Sequence, residues 1–274
     1  MMADDEWYWL GDRIEFSSPG VSNSRLVRVP PETSEIPPLT AGYAAIAGGS
    51  TVGIGLAVFG GIALAARVQD VDGVSAWWWL LLIVPAGAAG LFLLVGTWVD
   101  GTERLMQGRA VGRILISVVC GGALVGLVGA WLLPAVSHAG AGCLWAPAAV
   151  SAAVSTWAAL TAPREVRDAR VEMGRIIDGR RTGRRCAGVI AALPDPGEWN
   201  FGGDVPIRYD DGGRTRSVRV RLHATASTIP IPGTPVTVYV MTDGEPLVEL
   251  DSSTPIEFYP HSSRYESDAS GGGS

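Results

Sequence analysis

Acid–base, nucleophilic and metal chemistry draw mainly on histidine, cysteine and paired carboxylates. The placement of those residues is therefore the first constraint on what the chain can do. Its 274 residues include three histidines, His138, His223 and His261. One borders an apolar stretch, one a period-two stretch and one a polar tail, so they share no site and read as surface or loop histidines. Cys120, Cys143 and Cys186 show neither metal-ligand spacing nor a disulfide pattern, and their expected depths differ too much for pairing. The acidic pair Asp210-Asp211 precedes Gly212-Gly213, and a tight turn accounts for it. No Gly-rich phosphate loop with a following lysine, no HExxH and no GxSxG occurs in the sequence. The residues point away from an enzyme. No catalytic, cofactor-binding or metal-ligating residue is assigned, and no cofactor.

The elements that would have to position any such site are mostly apolar. Residues 77–87 read WWWLLLIVPAG. On a helix, successive residues are about 100° apart, so Trp77, Trp78 and Trp79 cannot share one buried stripe. The chain around them has no charged residue from Val74 to Val99, and about 20 apolar residues cross a bilayer. Ala41–Ala66, Ala110–Val136 and Ala139–Ala162 behave alike, which predicts four spanning helices. Tryptophan suits the membrane–water boundary, where its ring is apolar and its N–H finds a partner. Trp77, Trp78, Trp79, Trp131 and Trp145 fall towards one boundary, and Trp98 and Trp157 towards the other.

Orientation follows from arginine, since all 21 basic residues are arginine. That bias fits a high-G+C bacterial genome. Arg13, Arg25 and Arg28 precede span one. Arg104, Arg109 and Arg113 lie at the junction of spans two and three, and eight arginines follow span four between Arg164 and Arg185. The two remaining loops hold only Arg67. The positive-inside rule then places both termini in the cytoplasm of a bacterial inner membrane. The polar start has no basic n-region or cleavage site, so no removable signal peptide is expected.

Small residues recur every fourth position in span one, at Ala41, Ala45, Gly49, Gly53, Ala57, Gly61 and Ala65, with a shorter run at Gly122, Gly126 and Ala130 in span three. Such stripes let helix backbones approach in lipid. Transport usually needs an ionisable residue at depth. Away from their ends the spans offer only Ser50, Thr51, Ser117, Cys120, Ser151, Ser155 and Thr156. Ser151 and Ser155 share a face and are expected to bond helix to helix.

Five regions follow. Residues 1–40 are a polar cytoplasmic segment with a Trp7-Tyr8-Trp9 cluster and two weak strand signals, Arg13–Phe16 and Leu26–Val29. These are expected to pack on the membrane surface or on the C-terminal domain. Residues 41–163 are the membrane domain. Residues 164–185 are a basic amphipathic helix and linker, with Val166, Ala169, Met173 and Ile177 on one face. Residues 186–260 switch to period two and predict five strands closing as a small cytoplasmic barrel: Cys186–Leu193, Val205–Tyr209, Thr215–Leu222, Pro235–Met241 and Leu247–Leu250. Residues 261–274 are serine- and glycine-rich and expected to be disordered. In the third strand Arg219 and Arg221 point to solvent and are candidates for partner docking. Within 186–260, five arginines face ten acids, which argues against nucleic acid as a ligand.

Gly188-Val189-Ile190, Pro206-Ile207-Arg208-Tyr209, Asp211-Gly212-Gly213 and Gly233-Thr234-Pro235-Val236-Thr237-Val238 follow one another in an order that resembles bacterial membrane proteins grouped as domain-of-unknown-function family 3592. The chain departs from that pattern at Val240, where a tyrosine is usual, and at Met241-Thr242, where Asp-Pro is common. The resemblance implies a β-module beside spanning helices and no activity. The reading is an α-helical membrane protein, a four-helix bundle with a small cytoplasmic β-domain. Its partners are the lipid bilayer and a protein partner or a second copy of the chain. The β-module docks, scaffolds or regulates; a small-solute transporter or channel component is the alternative.

Overall fold

The computed structural model describes residues 14–19, 21–68, 73–132, 138–196, 199, 202–242, 245–251, 253–260 and 265. The Trp7-Tyr8-Trp9 cluster, His261 and all of the expected tail except Tyr265 lie outside the described residues, as do the side chains of Trp77, Trp78, Trp79 and His138. The chain divides into two compact units, one of residues 36–170 and one combining residues 1–35 with 171–274.

The first unit is helical. Helices α1 (Ala41–Val68), α2 (Gly73–Leu105), α3 (Gly108–Trp131) and α4 (His138–Thr182) follow one another along the chain. All four are long and apolar enough to cross a membrane, and between 6% and 28% of each apolar window is buried. Leu81, Phe92, Val125, Val150 and Leu160 stand exposed, a surface that suits lipid better than water. The α2–α3 connection is only Met106-Gln107. It is made by Met106 in the left-handed region (φ 49°), with Leu105 fully buried beside it.

Two glycine contacts explain how α1 packs. A Cβ on Gly53 would lie 2.6 Å from the Gly90 Cα of α2, and one on Gly126 would lie 2.5 Å from the Gly55 carbonyl oxygen of α1. Side chains at these points would force the helices apart. Gly49 faces Leu93, Gly122 faces Thr51 and Ile54, and Ala57 meets Gly87. Among the described residues nothing lies within 4 Å of a Cβ built on Gly61, so the described close packing stops short of that position. Ser50 is fully buried and donates to the Gly90 carbonyl oxygen at 3.0 Å. Helix α4 meets α3 through Arg113 over Trp157 and Arg109 with Glu165, and Ser155 Oγ lies 3.4 Å from the Ser117 carbonyl oxygen.

The expected amphipathic helix at 164–185 is not a separate element, because α4 runs through Pro163 to Thr182. Proline removes one backbone donor yet keeps a helical φ. Two residues earlier, the Thr161 hydroxyl lies within hydrogen-bond distance of the carbonyls of Trp157 (2.8 Å) and Ala158 (3.2 Å). Ala169, Met173 and Ile177 are buried as their spacing predicts.

The second unit is a six-stranded, fully antiparallel, nearly closed barrel. Its order is β1 (Glu15–Ser17), β4 (Thr215–His223), β3 (Gly203–Asp210), β2 (Arg184–Ile190), β5 (Pro235–Val240), β6 (Leu247–Leu250). The five strands read from the C-terminal region are all present. The sixth, β1, comes from the N-terminal segment and pairs with β4, Phe16 opposite Leu222. Five strands leave an open edge at β4, and β1 covers it. The other N-terminal strand signal, Leu26–Val29, is not a strand. It is a buried extended strap whose Val29 and Pro30 carbonyls each accept from Arg180 at 2.7 Å. Ile190, Val205, Ile207, Leu222, Ile229 and Val238 form the barrel core. Tyr265, assigned by sequence to the disordered tail, is buried edge-to-face on Trp199 at 5.3 Å and donates to the Pro194 carbonyl at 3.1 Å.

The close contacts predict that Gly53→Ile or Gly126→Ile costs roughly 1–3 kcal/mol or more, read as a lowered melting temperature in detergent, whereas Gly61→Ile leaves it unchanged. Equal effects at all three positions would show that α1 packs elsewhere.

Candidate functional site

The β3–β4 hairpin is set by its turn. Gly212 (φ 66°) and Gly213 (φ 84°) both adopt left-handed backbone, the requirement of a two-residue type I′ loop. Asp210 Oδ1 accepts from the Gly213 N–H at 2.8 Å. The buried Asp211 carboxylate pairs with Arg216 at 2.8 Å and also with Arg184 of β2. The acidic pair therefore fixes the turn, as its position before two glycines implies. That turn sets the register: Asp210 opposite Thr215, Arg208 opposite Ser217, Pro206 opposite Arg219 and Asp204 opposite Arg221.

These residues form the outer face of the hairpin. Arg219 is exposed, as expected, and makes no ion pair or hydrogen bond among the described residues. Arg221 differs from expectation. It is only 24% exposed, 3.8 Å from Asp204 across the strand pair, and donates to the Gly202 carbonyl at 3.3 Å. Opposite charges facing each other across an antiparallel pair attract, so the charge of Arg221 is spent within the sheet. Arg208 is the residue the sequence reading missed. It is exposed and lies diagonally from Arg219 on the same face. Counting back from a two-residue loop at Gly212-Gly213 places Arg208 opposite Ser217, so the signal was in the turn and the period of two.

Next to Arg219 the barrel has a seam. Phe16, Ser18, Arg175, Val218, Glu245 and Leu247 line a cleft of about 80 Å3 between β1 and β6. Ser18 Oγ donates across it to the Glu245 carboxylate, and Arg175 reaches the Glu245 carbonyl at 3.4 Å. The barrel closes here by side chains rather than by a backbone ladder.

His223, read from sequence as a surface or loop histidine, is buried at the end of β4, opposite Glu15 of β1. Its Nε2 lies 2.8 Å from Ser17 Oγ. Burial, and then the charges of Arg221 and Arg28, depress its pKa from 6.5 to about 4. Glu15 is held by Arg28 at 2.9 Å. The period-two pattern could place His223 on a strand, but not beneath β1, because β1 arrives from the far end of the sequence.

In the helical unit three of the four described tryptophan side chains are exposed. Trp131, Trp145 and Trp157 are 46%, 60% and 49% exposed, and Trp98 is half-buried. Trp131 and Trp145 meet edge-to-face at 5.2 Å. Trp157 lies under the Arg113 guanidinium, whose carbon is 3.6 Å from the ring centroid. Cys120 is half-buried in α3, Cys143 exposed in α4 and Cys186 buried in β2. Among the described residues no three of His, Cys, Asp and Glu form a group that could hold a metal.

No family model, no curated protein and no solved structure matches the chain. The resemblance to family 3592 therefore rests on its turn and strand motifs alone.

The depressed pKa of His223 has a direction in stability. As pH falls from about 6.5 towards 4, the unfolded chain takes up a proton that the folded chain refuses. Stability is fully present above 6.5 and falls by roughly 3 kcal/mol across that window. Replacing His223 with Gln should keep the contact with Ser17 and flatten the fall. Denaturant midpoints of both proteins between pH 7 and 4 test this, and parallel curves would remove His223 as the cause.

Proposed function

We propose that the chain is a non-catalytic, multi-pass protein of a bacterial cytoplasmic membrane, with both termini inside, whose β-module is a docking, scaffold or regulatory surface for a protein partner. The observation that carries this reading is the pair Arg208 and Arg219. Both are exposed and without a partner among the described residues, on one face of a module otherwise rich in acids. Four of the five module arginines lie on this hairpin pair's β4 or its turn, yet Asp211 and Asp204 occupy Arg216 and Arg221. A local cationic patch on a net acidic module attracts an acidic segment and steers its approach. The arginine distribution along the chain supports the inside placement.

The transporter reading has less to work with. Ser50 is used by the Gly90 carbonyl, Thr51 by the Ala47 carbonyl at 3.0 Å, and Ser155 faces the Ser117 carbonyl. These hydroxyls join or cap helix backbone rather than line a path.

Two experiments test the proposal. Reporter fusions at Gly73 and His138 should report outside, and fusions at Gln107 and after Ser274 inside; reversal at any two sites rejects the orientation. Converting Arg208 and Arg219 together to Glu should leave the melting temperature within about 0.5 kcal/mol equivalent and abolish recovery of a crosslinked partner from native membranes, together with the cell phenotype. If that variant behaves as wild type while Ser151→Leu with Ser155→Leu loses the phenotype, the docking function is rejected in favour of transport.

A further inference from the structure

Helix α3 presents Arg109, Arg113, Ser117 and Gly121 at four-residue spacing, and each meets α4. Arg109 Nε lies 2.9 Å from Glu165 Oε1. The Arg113 guanidinium lies over Trp157. Ser155 reaches the Ser117 carbonyl, and a Cβ on Gly121 would lie 3.3 Å from Ser155 Oγ. The two arginines differ in how they are neutralised. Arg109 has its carboxylate. Arg113, one turn deeper in the apolar helix, has none among the described residues, and its Nε is buried without an acceptor. Stacking on Trp157 satisfies one face of the guanidinium and leaves the Nη donors on its edge without an acceptor among the described residues.

What surrounds that edge is half charged and half apolar. Arg164 follows Trp157 by seven residues, two turns along the same face of α4, and it is exposed without a partner among the described residues. Between them Leu160 is 70% exposed, and on α3 Ile116 stands exposed one turn beyond Arg113. A fork of donors over an interfacial tryptophan, a second cation outward, and bare aliphatic surface both between the two cations at Leu160 and inward at Ile116 match a ligand with an anionic head and a hydrocarbon tail.

We propose that Arg113 on Trp157, with Arg164, binds the phosphodiester of an anionic membrane phospholipid at the α3–α4 edge, its glycerol backbone covering Leu160 and its acyl chain running inward along Ile116. This rests on α3 and α4 lying in a bilayer and does not depend on the docking role of the β-module. Free phosphate is disfavoured because nothing in it would cover Ile116 and Leu160.

The test uses the full chain reconstituted in mixed phosphatidylcholine–phosphatidylglycerol bilayers, extracted in mild detergent and weighed by native mass spectrometry. Wild type should retain phosphatidylglycerol over phosphatidylcholine. Arg113→Gln and Trp157→Leu should each lower that retention about fivefold or more, and Arg164→Gln about twofold. Arg167→Gln, an exposed arginine nearly one turn further along α4, should leave it unchanged. Because Arg164 is a surface residue, its variant reads the site even if Arg113→Gln melts early. Equal loss from Arg164→Gln and Arg167→Gln would reduce the effect to general surface charge and overturn the site. So would unchanged retention in a stably folded Arg113→Gln protein, or displacement of the lipid by millimolar inorganic phosphate. A chain that stays in the aqueous fraction when membranes are sedimented would instead overturn the membrane placement itself.

Discussion

A helix surrounded by lipid gains little by hiding apolar surface, so helices in a bilayer are held by close backbone approach and by bonds between polar groups. The helical unit depends on that constraint. Helix α1 touches α2 backbone to backbone at Gly53 and Gly90, and meets α3 where Gly122 and Gly126 leave room for the Thr51 and Gly55 carbonyls and the side chains of Ile54 and Val58. The buried hydroxyl of Ser50 adds a bond to the Gly90 carbonyl at the first of these crossings. Everything larger on these helices can then face outward, which is why Leu81, Phe92 and Val125 are exposed without being errors of folding.

The barrel solves the opposite problem, because in water the apolar face drives folding and the sheet edges are the liability. Five strands read from consecutive sequence would leave the β4 edge unpaired. Strand β1 covers it with Phe16 and Ser17, and His223 beneath it is buried neutral in consequence. The Arg180 guanidinium then ties the following strap to α4 through the Val29 and Pro30 carbonyls and reaches Glu249 of β6 at 2.7 Å. The N-terminal segment is thus a component of the C-terminal fold. Its polar, proline-punctuated sequence has no core of its own and needs one supplied.

Local patterns were the legible part. The absence of charge over about 20 residues, the period of two after Cys186 and the Asp-Asp-Gly-Gly turn each state their structure within one window of sequence, and the helices, the five strands and the hairpin register follow from them. The pairing of residues 15–17 with 221–223 has no such window, so the Arg13–Phe16 strand signal could be seen but not its partner, and the burial of His223 and the place of Tyr265 could not be read. The period-two rule also separated inward Val220 and Leu222 from outward Arg219 and Arg221 correctly. It did not say which outward arginine faces a carboxylate. That depends on the cross-strand register, which gives Asp204 to Arg221 and Ser217 to Arg208.

The arginines after span four show how one sequence signal can have two physical origins. Their number favours retention on the inner side of a membrane, and that statement needs no structure. Yet several are individually committed: Arg170 to the Pro37 carbonyl at 2.8 Å, Arg175 to Glu172, Arg180 to the strap and Glu249, and Arg184 to Asp211. Arg164 and Arg167 are exposed with no such partner among the described residues. Removing the committed arginines would disturb folding and topology together. Only the uncommitted ones can report on membrane charge alone, so the two origins separate along α4 by partner rather than by position.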